Sequence, residues 1–97
     1  MSTKLTDYDV SEHLRTPEEM AAYLEACIIE SDGDAAFVAK ALGDIARAKG
    51  MTALAQETGL GRESLYKALS ADGNPQLSTV LKVAKALGLQ FSVKPAA

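Results

Sequence analysis

Met51-Thr52-Ala53-Leu54-Ala55-Gln56-Glu57-Thr58-Gly59-Leu60-Gly61-Arg62-Glu63-Ser64-Leu65-Tyr66-Lys67-Ala68-Leu69-Ser70 is the stretch of this 97-residue chain that decides its fold. Two short apolar-periodic runs flank a Gly-Leu-Gly break. Thr52 is placed to cap a helix over Ala53 to Thr58, Gly59-Leu60-Gly61 reads as a turn, and Arg62 to Ser70 reads as a second helix. A helix-turn-helix needs a small residue on the first helix facing the second, a turn residue tolerant of positive φ, and a second helix apolar inside and polar outside. Ala55 supplies the small contact, and Gly59 four residues later supplies the turn. Leu54 and Leu60 seal the junction, while Leu65, Ala68 and Leu69 form the inner face of the second helix. At about 100° per residue, Glu63, Tyr66, Lys67 and Ser70 fall opposite Leu65.

When such a unit docks on DNA, the opening residues of its second helix point into the major groove. Arg62 has the fork to pair with guanine O6 and N7 or with phosphate, and Glu63 can accept from cytosine N4. Tyr66 and Lys67 suit the backbone or base edges. Thr52 offers a hydroxyl and the first amides of its helix to a phosphate, and Asn74 beyond the second helix can do the same. The same spacing also describes an ordinary αα-hairpin whose polar face meets solvent.

Upstream, Thr16-Pro17-Glu18-Glu19 combines an N-cap Thr, Pro at the first helical position and Glu at N3. Met20, Tyr23, Leu24, Cys27 and Ile28 then form one apolar stripe to about Glu30, with Cys27 a small buried hydrophobe. Ser31-Asp32-Gly33-Asp34 is a turn ending in an N-cap. Phe37, Val38, Ala41, Leu42, Ile45 and Ala48 mark the next helix to about Lys49, closed by Gly50. Gly43 inside that helix costs about 1 kcal/mol relative to Ala, which points to a close approach by a neighbour.

Downstream, Asp72-Gly73-Asn74-Pro75 is a loop and Leu77 to Leu87 a helix ended by Gly88. Its apolar stripe is Leu77, Val80, Leu81, Ala84 and Leu87, with Ser78, Lys82 and Lys85 outside. Leu89-Gln90-Phe91-Ser92-Val93-Lys94 alternates with period two, which predicts a half-buried strand over 89–94. A lone strand leaves backbone groups that a second copy can satisfy, so Leu89, Phe91 and Val93 are the expected homodimer contacts. Residues 1–15 lack helical periodicity and read as an extended arm. The expectation is an all-α single domain over 16–97 with about five helices, a helix-turn-helix at 51–71 and one short C-terminal strand.

Composition narrows the function classes. With 97 residues, 47% hydrophobic and 24% charged, the chain has one core and no room for a deep walled active site. A single Cys excludes an intramolecular disulfide and fits a reducing compartment. No apolar stretch reaches the length of a signal peptide or membrane span, so the expected place is the cytoplasm, off the membrane. An enzyme using Cys27 with the single His, His13, lacks any partner fixed by local spacing, and no phosphate loop or metal-ligand cluster occurs. No catalytic activity, cofactor or metal is therefore expected. The net charge of −3 conceals polarity. Residues 1–34 carry two bases against nine acids, a net −7, and residues 35–97 carry eight bases against four acids, a net +4. Such a molecule can offer its basic part to an anionic partner and its acidic part to a cationic one, or the two halves are simply solvated faces.

Met51 to Ser70 resembles the helix-turn-helix of the lambda-repressor/Cro (Xre) superfamily. The run from Gly59 to Ser70, followed by Gly73-Asn74-Pro75, is similar to the addiction-module antidote proteins, the HigA-like antitoxins encoded beside a RelE/ParE-type toxin. Thr16-Pro17-Glu18, Ala21 to Ala26 and Ala41 to Met51 resemble the same pattern, extending the likeness over about residues 4–94. The resemblance implies a lambda-repressor-like dimeric repressor that binds its own operator DNA and neutralises its toxin by direct contact. It carries DNA contacts to Thr52, Arg62, Glu63, Ser64, Tyr66 and Lys67. Gly61 departs from the family's common N-cap Ser, a change costing only a few tenths of a kcal/mol, and Gln76 replaces a capping Ser or Thr. Toxins of this type are usually basic, which makes the acidic first third the expected toxin-facing surface. A stand-alone repressor of the same superfamily and an interaction module without DNA are the competing readings.

Overall fold

In a computed structural model, which describes residues 14–70 and 72–96, the chain builds five helices in the order the punctuation dictates. Helix α1 (Pro17–Glu30) starts at Thr16, whose extended backbone lets Oγ1 accept the Glu19 N–H at 3.1 Å. Glu19 reaches back and accepts the Arg15 N–H at 2.8 Å. Asp34 caps α2 (Ala35–Lys49) by accepting the Phe37 N–H at 2.9 Å. Gly50 ends α2 and starts α3 (Met51–Thr58), which is followed by α4 (Arg62–Ala68) and α5 (Leu77–Ala86).

Helix α3 is the hub, touching α2, α4 and α5, while α1 lies on α2. Leu42, Ile45, Leu54, Leu65, Leu69 and Val83 are the largest fully buried side chains, so every helix except α1 contributes to the centre, and Met20, Leu24 and Cys27 extend it under α1. Leu14 is also buried, so the core begins inside the segment expected to be an extended arm. The rest of that arm, residues 1–13, lies outside the described residues.

Gly43 explains the seating of α4. A Cβ built there would overlap the Leu69 carbonyl oxygen and lie 3.2 Å from its carbon, so α2 and the end of α4 meet backbone to backbone. Next to Gly43, Asp44 accepts through Oδ2 from the Tyr23 Oη at 2.9 Å, tying α1 down. Asp44 also holds Arg47 at 2.7 Å and Lys40 at 3.5 Å. Burial, reinforced by the Asp44 carboxylate, pushes the Tyr23 hydroxyl well above its ordinary range, so it stays a donor at any physiological pH.

Three expectations are corrected. Residues 89–94 form no strand, and no strand occurs among the described residues. Alternation signals half-burial, but a strand needs a neighbouring edge. Here Leu89 donates its N–H to Ala84 at 2.8 Å and the extended tail passes α1 instead. Thr52 is not an N-cap, because α3 begins at Met51, whose burial draws the first turn back to Gly50. In α5 the buried residues are Val83, Ala84 and the following Leu87, with Val80 half-buried, whereas Leu77 and Leu81 are 71% and 46% exposed.

Two stability outcomes follow from these contacts. Gly43→Ala should lower the free energy of unfolding by about 1–3 kcal/mol through overpacking, although Ala is the better helix former by about 1 kcal/mol. Urea unfolding checks the sign. Tyr23→Phe should cost about 1–2 kcal/mol for the lost bond to a charged acceptor, and an unchanged urea midpoint would contradict that role.

Candidate nucleic-acid interface

The α3–α4 junction is fixed by local chemistry. Gly59 adopts φ 76° and ψ 9°, a left-handed conformation that lets its N–H close on Ala55 at 2.9 Å. Thr58 adds a clasp that sequence reading missed. Its Oγ1 donates to the Leu54 carbonyl at 2.8 Å and accepts the Leu60 N–H at 3.2 Å, stitching helix to turn. The available signal was a Thr directly before the turn glycine. Leu54, Leu65 and Leu69 are fully buried, and Ala55 and Leu60 pack partly buried beside them, as the spacing predicts. Gly61 sits at the N-cap of α4 without a side-chain bond, as Gln76 does for α5.

With Leu65 and Leu69 turned in, α4 presents Arg62, Glu63, Ser64, Tyr66 and Lys67 together on its exposed side. The Arg62 guanidinium lies 5.7 Å from the Tyr66 ring centroid, a cation–π pair one turn apart that pre-orders both side chains. This pairing also escaped sequence reading, though its i, i+4 spacing was visible. Among the described residues no carboxylate forms an ion pair with Arg62 or Lys67. Their charge is available to an outside anion. Thr52 is exposed on the first turn of α3, and Asn74 is exposed in the loop after α4.

The remaining candidates separate from this face. Leu89 packs partly buried against the core, Phe91 is half-exposed beside α1, and Val93 is 99% exposed. Cys27 is buried on α1, and that burial pushes its thiol above the ordinary value. A thiol held protonated is a poor nucleophile. His13 lies outside the described residues, and among those described no three His, Cys, Asp or Glu side chains converge on a metal-sized site.

Comparison with known proteins adds a family. A protein of Haemophilus influenzae strain Rd, described as an uncharacterized protein, is 49% identical over 94 residues, covering 97% of this chain and 95% of its own. No solved structure matches. The family described as "Probable addiction module antidote protein" matches residues 4–95, nearly the whole length. The chain therefore belongs to the family of probable addiction module antidote proteins.

Proposed function

We propose that the chain is the antitoxin of a type II toxin–antitoxin module. In this reading it binds and neutralises a RelE/ParE-type toxin and represses its own operon by binding operator DNA. The observation that supports DNA binding best is the exposed face of α4, where Arg62, Glu63, Ser64, Tyr66 and Lys67 stand together on a helix whose inner face is locked by Leu65 and Leu69. Arg62 reads guanine or grips phosphate, Glu63 accepts from cytosine, and Tyr66 orients Arg62 while covering the sugar edge. Lys67 and Thr52 contact the backbone, and Asn74 adds a further phosphate contact.

One such unit covers only about half of a specific site, so the protein acts as a homodimer on half-sites spaced by about one helical turn, roughly 34 Å. The dimer contact expected at Leu89, Phe91 and Val93 rested on a strand that the tail does not form. The requirement for two half-sites stands independently of it. The acidic α1 side remains for the toxin.

Fluorescence anisotropy on a duplex carrying the gene's own promoter tests this reading. Arg62→Ala should cost about 1–3 kcal/mol and relax preference at one base pair, while Lys67→Ala should weaken all sequences alike and lower the salt slope by about one. Unchanged affinity in both variants would remove α4 from the interface.

A further inference from the structure

On the flank formed by α1 and the C-terminal tail, the molecule has an open groove of about 590 Å³. Leu24, Ile28 and Ile29 line it from the helix, and Leu89 and Phe91 from the tail. Ile29 is 71% exposed and Phe91 43% exposed, so two large apolar side chains border one concavity. Paired exposure of this kind on a small domain marks a contact surface.

Charge says what kind of partner fits. Helix α1 carries Glu18, Glu19, Glu25 and Glu30 and no base. Arg15 pairs with Glu19, but among the described residues no cation forms an ion pair with Glu18, Glu25 or Glu30. Glu25 lines the groove itself, and Glu18 shares its face by the three- and four-residue spacing of helical neighbours. Among the described residues Lys94 is the one basic side chain on the rim. A nucleic acid would be repelled here. A symmetric contact between two copies would set the same acidic rim against itself, with one Lys94 from each copy to offset it.

We propose that this groove is the toxin-docking surface: a basic segment of the toxin seats an apolar side chain between Ile29 and Phe91 and sets its Lys or Arg residues against Glu18 and Glu25. The assignment rests on the antitoxin reading above and adds the contact residues to it. It places the toxin on α1 and the tail, elements other than α4, so both partners can be held at once.

The test uses full-length chain and the protein encoded by the reading frame adjacent to its gene, with affinity read by calorimetry. Ile29→Lys should weaken binding at least about tenfold, as expected for a central apolar contact. Glu18→Lys with Glu25→Lys should weaken binding and flatten its salt dependence. All three positions are exposed, so circular dichroism and promoter-duplex affinity should remain those of the parent. Unchanged toxin affinity in both variants overturns the proposal. So does sedimentation in which the parent dimerises, Ile29→Lys abolishes that dimer, and toxin affinity stays the same, since a second copy then fills the groove. If the parent chain itself fails to bind the adjacent protein, the antitoxin reading falls and the groove assignment with it.

Discussion

A hydrogen atom at position 43, where any other residue has a Cβ, lets α2 rest directly on the Leu69 carbonyl, and the posture of α4 depends on that contact. With the end of α4 drawn onto α2, Leu65 and Leu69 become fully buried together with Leu54 of α3. Each such side chain contributes about 1.5–3 kcal/mol of burial, enough to hold a seven-residue helix that would not persist alone. The turn at Gly59 and the Thr58 clasp set the angle at the other end. A helix fixed at both ends has only one face left to offer. That face carries Arg62, Glu63, Ser64, Tyr66 and Lys67.

The second organising feature is the separation of charge. The acids of α1 and the bases of α4 belong to helices that do not pack on each other as principal neighbours; α2 and α3 intervene. Among the described residues Asp44 gathers Arg47, Lys40 and the Tyr23 hydroxyl, the last of which fastens α1 to α2, while Lys49 pairs with Glu57 between α2 and α3 at 3.9 Å. Among the described residues Glu18, Glu25 and Glu30 of α1 and Arg62 and Lys67 of α4 form no ion pair, a polarity in keeping with the two partners proposed above.

Much of this was legible in the sequence wherever local chemistry decides. The Thr16 and Asp34 caps, the left-handed Gly59 and the inner face of α4 follow from side chains acting on their own backbone within four residues. Gly43 was legible for a different reason: a costly residue in a helix interior needs a nearby cause. Errors arose where the answer lay in a distant neighbour. The stripe Leu77, Val80, Leu81, Ala84 and Leu87 overlaps the one actually buried, and only contact with α3 selects Val83 over Leu81. Alternation in 89–94 reported one-sided burial correctly enough for Leu89 but could not supply a partner edge. The groove was invisible because it is made by α1 and the tail, which are separated by most of the chain.

In the proposed function α4, held by Gly43 and Leu69, meets operator DNA while α1 and the tail stay free of it. Backbone amide NMR during titration of the full-length labelled chain with a duplex from its own promoter tests this most directly. Saturating shifts are expected at Thr52, across Arg62 to Lys67 and at Asn74, with Ile28, Ile29 and Phe91 unmoved. Shifts centred on α1 and the tail, or none in α4 at concentrations where the duplex is bound, would contradict it.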